Sequence, residues 1–451
     1  MDAQHSSAVD DVVVPLKSGP ATLNWMRQYT AVRRTPQQVK RLRLISVLIV
    51  GALLLFGVLS YLQRPNLVPC DSPYAHIYDV VIDAGSTGSR VHIFKYERSS
   101  GGDVVLLHEH FQRVEPGLSS FAANPSGASQ SLQVLLKTAA EAVPLSHHEC
   151  TAIALRATAG LRLLPDASQQ AVLNAATRAL EASPFASRGA SIISGAQEGV
   201  YGWLTVNYLL RTLGSADATV ATIDMGGAST QVVFETSRAS GEWLPFNYAH
   251  QLRLPRRTVS MYQHSYLGLG LNEARRTMTA AFAAANSTAS FACYPTGHTQ
   301  RVSDTELHNS DAADFGACAA LFRHHVLTRT PCQFAACGAR GVPQPRLPSR
   351  AHAVYAFSYF YDRLSRVRAE GSPVTVSSYR DVGEEVCRRE STRRTSASTE
   401  TVCMDLAYLY SFLTYGLGLS DDTVLTVPNR IDGMAVSWSL GSSLSYVLRM
   451  E

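Results

Sequence analysis

Two stretches of this chain are built alike, and any fold must accommodate both. YDVVIDAGSTGSRVHIFKY (78–96) and ATVATIDMGGASTQVVFE (218–235) each run an apolar, β-branched strand into an aspartate. Each then turns through Gly, Ser and Thr and leaves on a second strand with alternating apolar residues. Asp83 and Asp224 hold the same register 141 positions apart. Alternation on both sides of such a turn predicts a β-hairpin. Its repetition predicts a duplicated unit whose copies face each other across a cleft. Between the copies, helices are expected over 130–142, 167–182 and 197–212, with short strands at 151–155 and 190–193, which makes the class α/β. The second half reads as more helical, with candidates at 264–285, 310–327, 351–367 and 402–416 and loops at 338–350 and 388–401. A last strand-turn element at 435–447 is expected to return to the first unit.

Residues 44–62, LISVLIVGALLLFGVLSYL, carry no charge. As a helix they extend roughly 28 Å, close to the hydrocarbon thickness of a bilayer. The 43 residues before them hold seven Lys/Arg against three Asp, which accounts for the whole formal net charge of +4. Positive charge on the N-terminal flank predicts a type II signal-anchor: a cytoplasmic tail (1–43), one transmembrane helix (44–62), and everything later translocated. The Pro-rich 63–76 reads as a stem. No basic patch remains to suggest nucleic acid. All eight cysteines follow the anchor, as disulfides in a translocated domain would. The expected pairs are Cys293–Cys318, Cys332–Cys337 and Cys387–Cys403, with Cys70 and Cys150 left open. Asn286 heads the one usable N-glycosylation sequon.

DAGSTGSR, residues 83–90, has the chemistry of an anion cradle. Backbone amides in a Gly/Ser/Thr turn can converge on one phosphate, and hydroxyls add donors. An aspartate at the strand end can hold a divalent cation through its waters. A plain hairpin turn explains a single such loop as well, but the second loop (Asp224, Gly226, Gly227, Ala228, Ser229, Gln231) repeats the form. Two further segments lie between them. RATAGLR places Thr158 at a strand end, where its hydroxyl either caps a helix or meets a phosphate. ISGAQEG places Glu198 at a helix start, where it either complements the helix dipole or accepts a proton from an attacking water.

Taken together, DAGSTGSR, ATAGLR, SGAQEGVYGWLTVNY, DMGGASTQ and the late WSLGSSL resemble, in order, the five conserved regions of the apyrases. These are the nucleoside triphosphate diphosphohydrolases and guanosine diphosphatases, and the likeness runs from about residue 78 to the C-terminus. It implies two ribonuclease-H-like lobes of the actin/Hsp70/sugar-kinase type around a cleft, 77–196 plus 434–451 and 197–433. It implies Glu198 as the base that activates water, with Thr158, Ser229 and Gln231 positioning water or phosphate. Ser86, Thr87, Gly88, Ser89 and Arg90, with Gly226, Gly227, Ala228 and Ser229, would bind phosphate. Asp83, Asp224 and Trp438 would form the surroundings of a hydrated cation, Ca²⁺, Mg²⁺ or Mn²⁺. FSYFYD and CMDLAY resemble the segments that supply two base-stacking aromatics, here Tyr361 and Tyr408. Gly88, where cell-surface members carry His, Asp362 after Tyr361 and the single anchor favour a Golgi-type diphosphatase with its catalytic domain in the lumen. GDP or UDP, and triphosphates as well, are the expected substrates. The cell surface and secretion after stem cleavage are alternative destinations. A polyphosphate- or sugar-directed enzyme of the same superfamily and a non-catalytic nucleotide-binding ectodomain are the competing functions, and the oligomeric state is left open.

Overall fold

The computed structural model describes residues 36–62, 76–99, 104–214, 219–236, 245–255, 257–285, 290–328, 330–347, 353–367, 374–392 and 401–450. They fall into two units, divided after Asn66. The first contains helix α1 (Pro36–Leu62). Its apolar side chains from Leu44 to Phe56 are exposed. Among the described residues no helix is long and apolar enough to cross a membrane.

The second unit holds two main sheets. One contains β1 (His76–Ala84), β2 (Ser89–Arg98), β3 (Val104–Val114), β4 (Ala152–Ala157) and β5 (Ala186–Ile192), in the order β3-β2-β1-β4-β5. The other contains β6 (Ala221–Met225), β7 (Ser229–Glu235), β8 (Ala249–Arg253) and β9 (Thr258–Leu267). After the separate hairpin of β10 (Thr299–Val302) and β11 (Thr305–His308), it is completed by β12 (Val354–Ser358), β13 (Val374–Thr375) and β14 (Val424–Thr426). Its order is β13-β14-β12-β6-β7-β9-β8. The cores of the two sheets match strand for strand. In each, an antiparallel meander of three is extended from its first strand by two parallel strands. Both hairpins read from sequence are formed, with Asp83 opposite Arg90 and Asp224 opposite Gln231.

Helices fill three layers. On the first sheet α2 (Pro125–Ala142) and α4 (Asp166–Glu181) cover one face, where Val80, Ile82, Leu132 and Ile153 are fully buried. On the second sheet α6 (Leu271–Ala285), α7 (Phe315–His325), α9 (Val376–Thr392) and α10 (Val402–Ser411) surround the largest apolar cluster. Between the sheets lie α5 (Gly195–Leu209) and α11 (Trp438–Val447), which share a core with Val81 and Phe94 of one sheet and Val233 and Met261 of the other. Each fully buried aliphatic or aromatic side chain contributes about 1.5–3 kcal/mol, so this shared layer firmly couples the two sheets. Gly441 is what lets α5 and α11 close: a β-carbon there would overlap the backbone of Tyr201.

Several expectations are corrected. WSLGSSL is a helix rather than a strand and turn. Its serines alternate with Leu, but Ser439, Ser442, Ser443 and Ser445 are all buried against neighbouring elements. Residues 264–267 belong to β9, and 354–358 form β12, so both helix candidates begin late. In each case the pairing strand is far away in sequence and invisible to local periodicity. Helix α9 continues through Thr392, into the expected loop. The three expected disulfides are present. Cys150 is also disulfide-bonded. Asn286 and Cys70 lie outside the described residues.

Candidate active site

The two Asp-Gly loops are closed in the same way. The Gly85 amide donates to the Gly88 carbonyl at 3.1 Å, and the Gly226 amide to the Ser229 carbonyl at 3.0 Å. That bond occupies one amide per loop. The amides of Ser86, Thr87, Gly88, Gly227 and Ala228 donate to no backbone carbonyl among the described residues, so they stand available to an anion. The loops touch. A β-carbon at Gly227 would fall on Ser86 Oγ and within 3.4 Å of Thr87 Cγ2. Gly160 does the same service behind, since its β-carbon would lie 2.7 Å from Ser86 Cα.

A cleft of about 460 Å³ opens between the loops. Asp83, Ser86, Thr87, Arg90, Thr158, Glu198, Asp224, Gly226, Gly227, Tyr361 and Trp438 all line it, although they come from six separate segments. Other site candidates sit behind this surface. Ser89, Ala228, Ser229 and Gln231 are buried. Gln231 Nε2 donates to Ser229 Oγ (2.7 Å) and to Ser265 Oγ (3.0 Å), bracing the second loop from beneath. Gly88 packs against the end of β3. Tyr408 is not brought to the cleft. It is fully buried in the core of the second sheet, its hydroxyl donates to the Leu269 carbonyl at 2.6 Å, and its ring packs on Phe322. The expected sandwich of Tyr361 and Tyr408 is therefore not formed, because α10 turns that ring inward.

Glu198 owes its place to a capping box. Ser194 Oγ accepts from the Gln197 amide and Gln197 Oε1 accepts from the Ser194 amide, which fixes where α5 starts. Glu198 then points into the cleft from the first turn, 7% exposed, and pairs with Arg162. Burial pushes its carboxyl up to about 8; Arg162 opposes this, while Asp224 and Asp83 add to it. Burial likewise lifts Asp224 to about 6, against a hydrogen bond from Ser358 and with help from Asp83. Asp83 is raised by burial against the pull of Arg90, which lies 3.1 Å away. Three carboxyls thus share one buried space and repel one another, which is the environment that favours a cation or a proton. Asp83 Oδ1 is buried with no hydrogen-bond partner. Among the described residues no three His, Cys, Asp or Glu side chains could grip an ion directly. Two carboxylates with an open oxygen suit an ion that keeps most of its water, as Mg²⁺ does.

Thr158 sits at the N-cap of a short helix, α3 (Ala159–Arg162), yet its hydroxyl makes no capping hydrogen bond. Its side chain lines the cleft instead. Arg113, Arg363 and Arg366 join Arg90 along the wall, around Asp362. Arg363 is held by the buried Asp405 at 2.9 Å and lies over Tyr359.

Three contributors were not assigned from sequence. Arg162 and Ser358 stood inside quoted motifs without a role, and Ser265 carried no local signal. Ser358 Oγ donates to Asp224 Oδ1 at 2.6 Å from a backbone at φ 59°, ψ −119°. A non-glycine residue held there costs about 1–3 kcal/mol. Ser358→Gly is therefore expected to raise thermal stability, whereas Ser358→Ala keeps the strain and loses the donor. Both should weaken cation response several-fold, read from thermal melts across a Mg²⁺ titration.

Known proteins share this architecture and sequence. A solved structure of nucleoside triphosphate hydrolases from Neospora caninum superposes with a TM-score of 0.61 at 14% identity, covering 90% of this chain and 97% of that one. At that identity the likeness concerns the fold. A guanosine-diphosphatase of Schizosaccharomyces pombe is 34% identical over 82% of this chain and 73% of its own length. Ectonucleoside triphosphate diphosphohydrolase 5 of Mus musculus is 32% identical over 84% of this chain and 89% of its own. Residues 71–451 match the GDA1/CD39 (nucleoside phosphatase) family, and the chain belongs to that family.

Proposed function

We propose that this chain is a divalent-cation-dependent nucleoside diphosphatase. It would cleave the terminal phosphate of GDP or UDP, and of triphosphates as well, with water as the nucleophile. The reading rests above all on Glu198, a buried carboxylate beside two aspartates, in a cleft floored by two loops with amides to spare. It is supported by relatives named guanosine-diphosphatase and ectonucleoside triphosphate diphosphohydrolase. The loop amides and the Ser86 and Thr87 hydroxyls would hold the phosphates, with Arg90 adding positive charge. Asp83 and Asp224 would hold the hydrated cation, whose charge stabilises the phosphate oxygens during in-line attack. Glu198 would take the proton of the attacking water, and Arg162 would keep its carboxylate aimed. Tyr361 offers a stacking face for the base.

We also read 44–62 as a type II anchor that holds the domain in the Golgi lumen. Support comes from the uncharged run, the exposed apolar side chains of α1 and the basic tail. Residues 77–196 plus 434–451 would form one lobe and 197–433 the other. This division is supported by α11 packing on β1 and β2, while α5 packs on β6, β7 and β9.

A substrate panel on the full chain tests the activity. Phosphate release from GDP or UDP, abolished by EDTA and restored by Mg²⁺, Ca²⁺ or Mn²⁺, is expected. Release from polyphosphate but not from nucleotides would sink the reading. Location is tested separately: an endoglycosidase-sensitive mass shift that Asn286→Gln removes is expected of a lumenal domain.

A further inference from the structure

His92 is the one histidine in the cleft wall among the described residues, and nothing above assigns it a role. It lies two positions beyond Arg90 on β2, opposite Val81, and therefore on the same sheet face as Asp83. Its side chain is 1% exposed. On one side its Nδ1 meets Glu109 Oε1 at 2.7 Å. Glu109 is itself fixed, because its Oε2 accepts from the Ala435 amide at 2.9 Å. An ionised carboxylate only accepts hydrogen bonds, so Nδ1 carries the hydrogen, and in the neutral ring Nε2 presents its lone pair. Phe94 stacks on the ring and Phe111 meets its edge, which removes its freedom to rotate. Nε2 is buried and has no hydrogen-bond partner in the protein. The neighbouring Asp83 Oδ1 is in the same condition. Two orphaned acceptors, one from a carboxylate and one from a locked imidazole, thus share the same wall of the cleft.

Donors that satisfy both at once are the hydrogens of metal-bound water. We infer that His92 Nε2 is a further positioning group for the hydrated cation, accepting a hydrogen bond from one of its waters beside Asp83, with Glu109 as the residue that sets its tautomer. The carboxylate–histidine arrangement is the one that elsewhere orients imidazoles toward metals. Here the imidazole reaches the ion through water, as the aspartates do. The inference rests on the cation dependence proposed above.

Mn²⁺ binding to the full-length chain tests it, in the Glu198→Gln background with GDP present so that the complex persists. With ¹⁵N-histidine label, pulsed EPR is expected to show a weak histidine nitrogen coupling of water-mediated strength. His92→Phe should abolish that coupling and weaken Mn²⁺ about 10-fold, with nucleotide affinity in EDTA unchanged. Glu109→Gln, which frees the tautomer, should weaken Mn²⁺ less. Mn²⁺ that binds without histidine coupling, or with the same affinity in a folded His92→Phe protein, overturns the inference alone. If His92→Phe does not fold, the spectrum of the unsubstituted histidine decides by itself. No Mn²⁺ binding at all would remove both the cation site and this role for His92.

Discussion

Glu198→Gln is expected to lower kcat by about 10²–10⁴-fold, the usual worth of a positioned general base. KM for the nucleotide should change little, because the two loops, Arg90 and Tyr361, which are proposed to bind it, are untouched. The amide keeps the volume of the carboxyl and can still accept from Arg162, so α5 and its capping box should remain in place. Single-turnover rates and equilibrium nucleotide binding separate the two quantities. Turnover within tenfold of the original would exclude Glu198 as the base.

The same residue gives the cation-free protein a characteristic pH response. Burial, with Asp224 and Asp83, lifts Glu198 from its ordinary value near 4.5 to about 8, and Asp224 from 3.8 to about 6. A carboxyl raised on folding binds its proton more tightly in the folded state. The stability this brings is complete below the ordinary values and is lost as pH rises through about 6 and then about 8. Thermal melts in EDTA should therefore fall between pH 5 and 8.5. A bound divalent cation replaces those protons, so Mg²⁺ should flatten the slope and stabilise most at the alkaline end. Melts that rise with pH in EDTA would contradict the assigned burial.

Gly227→Val is the other change with a large expected effect. A first side-chain carbon at that position overlaps Ser86 Oγ and sits 3.1 Å from Asn272 Nδ2, so the two Asp-Gly loops must separate. Displacing catalytic groups by about 1 Å can cost 10²-fold, and kcat/KM is expected to fall by at least that much. Overpacking of this kind costs about 1–3 kcal/mol in stability, so the protein should still fold, with a lower Tm. Gly214→Ala, which meets nothing within 4 Å, serves as the control and should leave both unchanged. Retention of full activity by Gly227→Val would mean that the loops do not act together.

How much of this was legible in the sequence varies with the range of the interaction. Hairpins are local, and DAGSTGSR and DMGGASTQ declared theirs through alternation and turn residues. The capping box that aims Glu198 was also written locally, as Ser194 followed by Gln197. By contrast, residues 264–267 of β9 pair with β7 across the intervening β8, β12 pairs with β6 and β14, and these apolar runs read equally well as helix. Trp438–Val447 was misread for a related reason. It was expected as a strand and turn, whereas it is a helix whose serines are buried between two sheets that only folding brings together. The base site shows the same limit from the other direction. Tyr361 and Tyr408 were chosen by motif, and only the burial of Tyr408 beside Phe322 showed that it belongs to the core.

Turn chemistry and alternation act over a few residues, so the chain's own letters already show two Asp-Gly loops of one form with a carboxylate and a threonine between them. The tertiary structure decided that both loops open on one cleft, close enough for Gly227 to touch Ser86. It also paired Arg162 with Glu198, turned Ser358 onto Asp224 and left His92 facing the same space. Those relations depend on sheet registry and on α5 and α11 packing between the sheets. They arise from burial summed over the whole domain, which no short stretch of sequence encodes.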